Sequence, residues 1–262
     1  MLLRSTMMRK EPMKKSVCAT LAALAFATTS LSFTAASANE EKSTFTRSEI
    51  ETIVREYLIN NPEVLLDVQT ALQEKQRVAQ QAAIEQIIDV ASDELFHSEY
   101  DGVIGNPDGD VTVVEFFDYN CGFCKRALAD MEKLVESDSN LRFVLKEFPI
   151  LSEDSHKAHV VSMAVHLLDP AKYTDFHRQL LGSSERATEE SAIKVATGLG
   201  IDEPALRETM QDPRIMQAFG TTYQLAEQLQ ITGTPGYIIG KEIVSGAMGE
   251  QVLREKIEAV RK

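Results

Sequence analysis

The stretch Val111-Thr112-Val113-Val114-Glu115-Phe116-Phe117-Asp118-Tyr119-Asn120-Cys121-Gly122-Phe123-Cys124-Lys125-Arg126 decides how the chain is read. Its first seven residues are largely apolar and β-branched, as in a buried strand. From Lys125 to Val135 the residues Ala127, Leu128, Met131, Leu134 and Val135 recur at helical spacing. Cys121 therefore falls where a strand ends and a helix begins. Unpaired backbone N–H groups and the positive end of the helix dipole stabilise a thiolate at that place. The thiolate is the nucleophile of disulfide exchange. Cys124 lies in the first helical turn, close enough to form a disulfide with Cys121, and the pair reads as a redox centre. A structural zinc site needs four ligands, and no second cysteine pair exists to complete one. A purely structural disulfide over so short a loop would stabilise little.

The N-terminus reads as a leader. Arg4, Arg9, Lys10, Lys14 and Lys15 form a basic region, Val17 to Phe33 is mostly apolar and small, and Ala36-Ser37-Ala38 has the form of a signal-peptidase site. Residues 1–38 are thus expected to be a removed signal peptide that exports the protein to the periplasm. The whole chain carries 27 Lys and Arg against 40 Asp and Glu, a net charge of −13, and loss of the leader makes it more acidic. Such a balance disfavours nucleic acid and anionic lipid as partners. Cys18 leaves with the leader, so Cys121 and Cys124 are the cysteines that remain. Cysteine used this sparingly in an exported protein serves chemistry rather than stapling.

Residues 39–96 read as a helical region. Arg47 to Asn60 places Ile50, Ile53, Val54, Tyr57 and Leu58 at helical spacing, and Asn60-Asn61-Pro62 interrupts it. From Pro62 to about Ala91 neither Gly nor Pro intervenes, and Leu65, Val68, Leu72, Ala79 and Ala82 approximate the seam of a coiled coil. A helix of that length spans ~45 Å. Its stripe is too narrow for a globular core, which predicts an oligomerisation stalk; a solvated helix folded back on the next domain is the competing reading.

Residues 97–262 are long enough for one domain with its own core. Asp101 to Asp110 is turn-rich and predicts a short hairpin leading into the central strand. Leu141 to Phe148 is a second strand, joined to the first through the Cys-containing helix, as in a parallel βαβ unit. A helical insertion is expected over about 152–230, broken at Asp169-Pro170, Gly182-Ser183-Ser184, Gly198-Leu199-Gly200 and Asp212-Pro213. Tyr237-Ile238-Ile239 and Ile243-Val244 then form a hairpin, and Gln251 to Val260 a closing helix. Thr234-Pro235, between glycines and just ahead of a strand, is a candidate cis peptide.

This order of elements resembles the thioredoxin-fold disulfide oxidoreductases of the bacterial envelope, the Dsb family, over about residues 97–262. The resemblance implies an α/β thioredoxin-like fold with a helical insertion. It implies that Pro235 is cis and faces the active disulfide, so that Thr234 and Pro235 form the substrate-binding loop. It places the family's buried carboxylate at Glu115, six residues before Cys121, and the lysine that pairs with that acid at Lys146. A buried Glu beside the thiols would have a raised pKa and could take the Cys124 proton. Substrate would lie extended along the loop, with Phe123 and Tyr237 offering apolar contact.

The dipeptide Gly122-Phe123 carries no charge, whereas strong oxidases of the family have His there. With Thr before the Pro, this is more like the isomerase branch. The N-terminal helices resemble those of the trimeric, copper-tolerance-linked members. The expected partners are unfolded or misoxidised exported proteins, a membrane redox protein that recycles the pair, and further copies of the chain, with a trimer favoured. A monomeric thiol oxidase and a copper-binding envelope protein are the alternatives. His156, His159 and His166 share one arc of a helix with Met163, ligands that would suit copper. Their spacing favours a solvated face instead, so no metal and no cofactor are assigned.

Overall fold

The computed structural model describes residues 44–262, and the leader and its cleavage site lie outside them. The chain divides into two compact units after Asn60. In the first, the described residues form α1 (Arg47–Asn60). It opens with a reciprocal cap: Thr46 N donates to Glu49 Oε2 at 2.8 Å, and Glu49 N donates to Thr46 Oγ1 at 3.3 Å. Ile50, Ile53, Val54 and Tyr57 are exposed within this unit.

The second unit begins with α2 (Glu63–Val90), entered through Pro62, and the short α3 (Ser92–Phe96). The two halves of α2 differ. Leu65, Leu66, Val68, Leu72 and Val78 are exposed, whereas Ile88 is buried and Ile84 and Ile87 pack beside it. Gln80 Nε2 reaches Gln230 Oε1 at 3.0 Å, Gln81 Nε2 reaches the Lys241 carbonyl at 3.1 Å, and Lys241 Nζ meets Asp89 at 2.7 Å. Leu95 of α3 is buried as well. The second half of α2 and α3 therefore contribute to the same core as the residues after 97.

Five strands follow: β1 (Gly102–Gly105), β2 (Val111–Phe117), β3 (Leu141–Glu147), β4 (Gly236–Ile239) and β5 (Glu242–Ser245). They form one sheet in the order β1-β3-β2-β4-β5, with β2 parallel to β3 and every other pairing antiparallel. The hairpin expected ahead of the central strand is not formed. β3 lies between β1 and β2, and β1 pairs with it at the edge, Gly102 opposite Leu145 and Gly105 opposite Arg142. The turn residues 106–110 thus reverse the chain across β3, so that β1 and β2 run antiparallel without pairing. Gly240 at φ +59° supplies the left-handed turn between β4 and β5.

Helix α4 (Gly122–Ser137) joins β2 to β3, and the insertion between β3 and β4 contains α5 (Glu153–Leu168), α6 (Pro170–Gly182), α7 (Glu189–Gly198), α8 (Glu203–Thr209) and α9 (Pro213–Gln228). The breaks between these helices fall at the Pro and Gly positions named above. Side-chain caps start four of them: Ser152 accepts from Ser155 N, Thr188 from Ser191 N, Asp202 from Ala205 N and Asp212 from Arg214 N. Helix α10 (Glu250–Val260) closes the fold.

Because β2 is covered on both sides, it is buried almost throughout. Val113 and Phe117 join Phe143, Leu145 and Tyr237 in a core with α4 and the insertion helices. Val114 and Phe116 face the other way, onto Val144, Ile238, Ile88, Leu95 and Leu225. This is the α/β thioredoxin-like sheet with a helical insertion.

Candidate active site

Cys121 is the N-cap of α4, in extended conformation at φ −78° and ψ 114°. Its Sγ accepts a hydrogen bond from Cys124 N at 3.4 Å, and the first helical bond runs from Lys125 N to the Cys121 carbonyl at 3.0 Å. Cys121 retains 5% of its surface exposed and Cys124 none, so only the first cysteine is placed to meet another molecule. Across from it the Thr234–Pro235 peptide bond is cis, and the Cys121 thiol donates to the Thr234 carbonyl at 3.2 Å. A Cβ at Gly236 would come within 2.7 Å of the Ile231 side chain, so the chain leaving Pro235 requires glycine there.

The electrostatics separate the two sulfurs. Cys121 is lowered from near 9 to about 5, first by a hydrogen bond from the Cys124 thiol, then by Thr234 and by the backbone N–H groups of Cys124 and Phe123, all against the cost of burial. Thr234 Oγ1 is buried and has no partner among the described residues in the thiol form, which leaves it available to the thiolate. Cys124 is raised, first by burial, then by its bond to Cys121 and by the charge of Glu115. One sulfur is thus ready to attack while the other holds its proton.

Glu115 is buried directly behind the pair, and desolvation raises its carboxyl to about 8. Lys146 does not pair with it, contrary to what the resemblance implies. The parallel register sets Glu115 beside Leu145 and Lys146 beside Phe116, so the two side chains leave the sheet on opposite faces. Lys146, itself buried, bonds Asp101 and the Glu94 carbonyl instead. Asp101 is raised to about 7, chiefly by burial, with the Lys146 charge opposing that. Tyr237 also departs from expectation. It is 1% exposed, and its hydroxyl points at Glu115 Oε1 at 3.5 Å, so it cannot offer apolar contact to substrate. Phe123 remains available, 56% exposed, with the Arg126 guanidinium 4.3 Å over its ring.

Several supporting residues escaped the sequence reading. Asp118, fully buried, accepts from Asn120 N at 2.8 Å, Ile150 N at 3.0 Å and Leu151 N at 3.1 Å, while its carbonyl accepts from Cys121 N at 2.9 Å. Asn120 exchanges two bonds with Ala187, at 2.8 and 2.9 Å, which ties the approach to Cys121 to the insertion. His159 is completely buried and not on a solvated face, a further correction. Its Nε2 accepts from Tyr119 N at 3.1 Å and its Nδ1 bonds Glu147. Glu147 also accepts from Ser162 at 2.7 Å and Tyr173 at 2.8 Å. The available signal was a Glu ending an apolar strand and a His inside an apolar helix, two polar groups in need of one another. His166 bonds the Glu99 carbonyl at 3.0 Å, so it and His159 serve different partners. Among the described residues no group of three or more His, Cys, Asp or Glu side chains is arranged to hold a metal ion.

Residues 112–258 match the model of the DSBA-like thioredoxin domain, and residues 47–79 match that of the copper resistance protein ScsC N-terminal domain. Among solved structures, a thioredoxin-like oxidoreductase from Silicibacter pomeroyi is 37% identical, with 64% of this chain and 96% of that one covered and a TM-score of 0.62. The thiol-disulfide exchange protein alpha-DsbA2 from Wolbachia pipientis is 31% identical over 70% and 98% of the two chains, with a TM-score of 0.64. Proteus mirabilis ScsC in a compact conformation is 28% identical over 82% and 97%, with a TM-score of 0.60. The Na(+)/H(+) antiporter NhaA 3 of Salinispora tropica is a longer curated relative: the match, 22% identical over 139 residues, spans 21% of its length. With its cysteine pair at the head of α4, its cis-proline loop opposite and these similarities, the chain belongs to the DsbA-like thioredoxin domain family.

Proposed function

We propose that the protein catalyses thiol–disulfide exchange on exported proteins in the periplasm, as an oligomeric disulfide isomerase or reductase. The observation that carries this reading is the asymmetry of the pair: Cys121 lowered to about 5 at the head of a helix, Cys124 buried and raised behind it. In the isomerase direction the Cys121 thiolate attacks a substrate disulfide, forms a mixed disulfide and releases one substrate thiolate. Either another substrate thiolate then displaces Cys121, or Cys124 loses its proton, attacks Cys121 Sγ and releases the second substrate sulfur. In the second case the substrate gains two electrons and Cys121–Cys124 is oxidised, to be reduced again by a membrane thiol donor. An extended substrate strand would lie against the backbone at Thr234 and Pro235 and the exposed ring of Phe123.

The uncharged Gly122-Phe123 dipeptide supports the isomerase or reductase reading over an oxidase. The exposed apolar residues of α1 and of the first half of α2 support assembly with further copies, with a trimer favoured. The leader expected at residues 1–38 supports export, and among the described residues no helix is long and apolar enough to cross a membrane.

The test is isomerisation of a scrambled-disulfide protein by the reduced full chain and by a chain beginning at Lys75. The shorter chain drops α1 and Leu65 to Leu72 but keeps Ile84, Ile87, Ile88 and Leu95, which belong to the core. Isomerisation by the full chain that falls in the shorter one is expected. Rapid oxidation of dithiols with no rearrangement by either chain would replace this reading with a thiol oxidase.

A further inference from the structure

Glu115 lies among apolar side chains, and its one side-chain hydrogen-bond partner among those described is the Tyr237 hydroxyl at 3.5 Å. The lysine that could have neutralised it is committed to Asp101 on the far side of the sheet. Register creates the contact that remains. β2 and β4 are antiparallel with Glu115 directly opposite Tyr237, so both side chains leave the same face as neighbours. A buried hydroxyl without a partner is destabilising, and phenylalanine would fill the same space without that cost. A tyrosine here is explained by the carboxylate it faces. Tyr237 also lies two residues beyond Pro235, so the strand that follows the substrate-binding loop carries the group that touches Glu115.

We propose that Tyr237 is a positioning residue for proton transfer, its hydroxyl holding the Glu115 carboxylate ready to take the proton of Cys124 when that thiol resolves the mixed disulfide. The inference rests on the exchange reaction proposed above. The Cys124 S–H bond breaks and its proton passes to Glu115; the Cys124 thiolate forms a bond to Cys121 Sγ; the bond from Cys121 to the substrate sulfur breaks, and that sulfur leaves as a thiolate protonated by water. Glu115 later returns its proton to solvent or to Cys124 when the disulfide is reduced. Tyr237 transfers no proton. Its hydrogen bond favours the ionised carboxylate against the desolvation that opposes it, and so sets how much base is present near neutral pH.

The experiment uses the reduced full chain and oxidised glutathione as the disulfide. Attack by Cys121 releases one glutathione and resolution by Cys124 releases a second, and the two are timed by rapid mixing from pH 5 to 9.5. The chains compared are wild type, Tyr237→Phe, Glu115→Gln and the double variant. Tyr237→Phe is expected to move the pH midpoint of the second release upward by about half a unit to one unit and to slow it about 3- to 10-fold at pH 7. The first release and the thiolate absorbance of Cys121 should stay as in wild type, which shows that the site is intact. In the Glu115→Gln background the same change should add no shift. An unmoved midpoint in Tyr237→Phe, or an equal shift in both backgrounds, would overturn the proposal while leaving the exchange reaction standing. Absence of the second release alone from wild type would overturn the proposal, and absence of both releases would overturn the exchange reaction as well.

Discussion

Cys121 and Cys124 are the same residue type three positions apart, and their chemistry is opposite because one caps a helix and the other is sealed inside it. The Cys121 pKa is lower folded than unfolded, so thiolate formation stabilises the reduced protein fully above the unfolded value near 9 and ceases to do so as pH falls through about 5. The oxidised protein has no such group. Urea unfolding of both forms is therefore expected to show a stability advantage of the reduced form at pH 8 that shrinks steadily toward pH 5. Thiolate absorbance should titrate with a midpoint near the same lower value. Phe123→His tests the dipeptide. Position 123 is exposed and beside the thiolate, so a cation there should lower the Cys121 midpoint further. The reduction potential should rise by about 30 mV for each tenfold gain in the stability of the reduced form, read by equilibration against glutathione.

At the scale of elements, the site depends on pieces far apart in sequence being fixed to one another. Asp118 is where the end of β2, the motif and the start of the insertion meet, through three backbone N–H groups. Asp118→Ala leaves those donors unpaired in a buried place and is expected to cost about 3 kcal/mol or more in urea unfolding. Asp118→Asn, which keeps one acceptor oxygen, should cost less. Helices α2 and α3 give a second case. Leu95 and Ile88 lie in the core on the far face of the sheet, so Leu95→Ala should destabilise by about 2–5 kcal/mol and Ile88→Ala by a similar amount. Leu72→Ala, in the exposed half of α2, provides the contrast: in a single chain it should cost under about 1 kcal/mol.

For the whole molecule, the distribution of apolar surface is uneven. The sheet and the insertion bury their apolar residues, while Ile50, Ile53, Val54, Leu65, Leu66, Val68 and Leu72 stay exposed on α1 and the first half of α2. Light scattering on the full chain is expected to give a multiple of the single-chain mass. The combined change Ile53→Ser, Leu65→Ser and Leu72→Ser should reduce it to the single-chain value, with the redox pair still titrating as before. A single-chain mass for the unaltered protein at micromolar concentration would remove the assembly from the proposed function. A net charge of −13 would make such association selective, because it opposes contact between copies except where apolar faces meet.

The sequence by itself determined the local matters: the strand and helix flanking Cys121, the N-cap position of that residue, the parallel unit of β2, α4 and β3, and the helical insertion with its breaks at Pro and Gly. Each depends on periodicity, capping or turn chemistry within a few residues, and these act before the chain is folded. Tertiary structure alone decided that β1 pairs with β3, since a four-residue strand has too little pattern to choose a neighbour. It decided that Lys146 meets Asp101 and that Tyr237 meets Glu115. Alternation along a strand tells which residues share a face, but only the register between strands tells which faces coincide, and a shift of one position would have exchanged these partners. The burial of His159 belongs here too, because its cost is offset by Glu147 and Tyr119, residues that come beside it only when the insertion packs on the sheet.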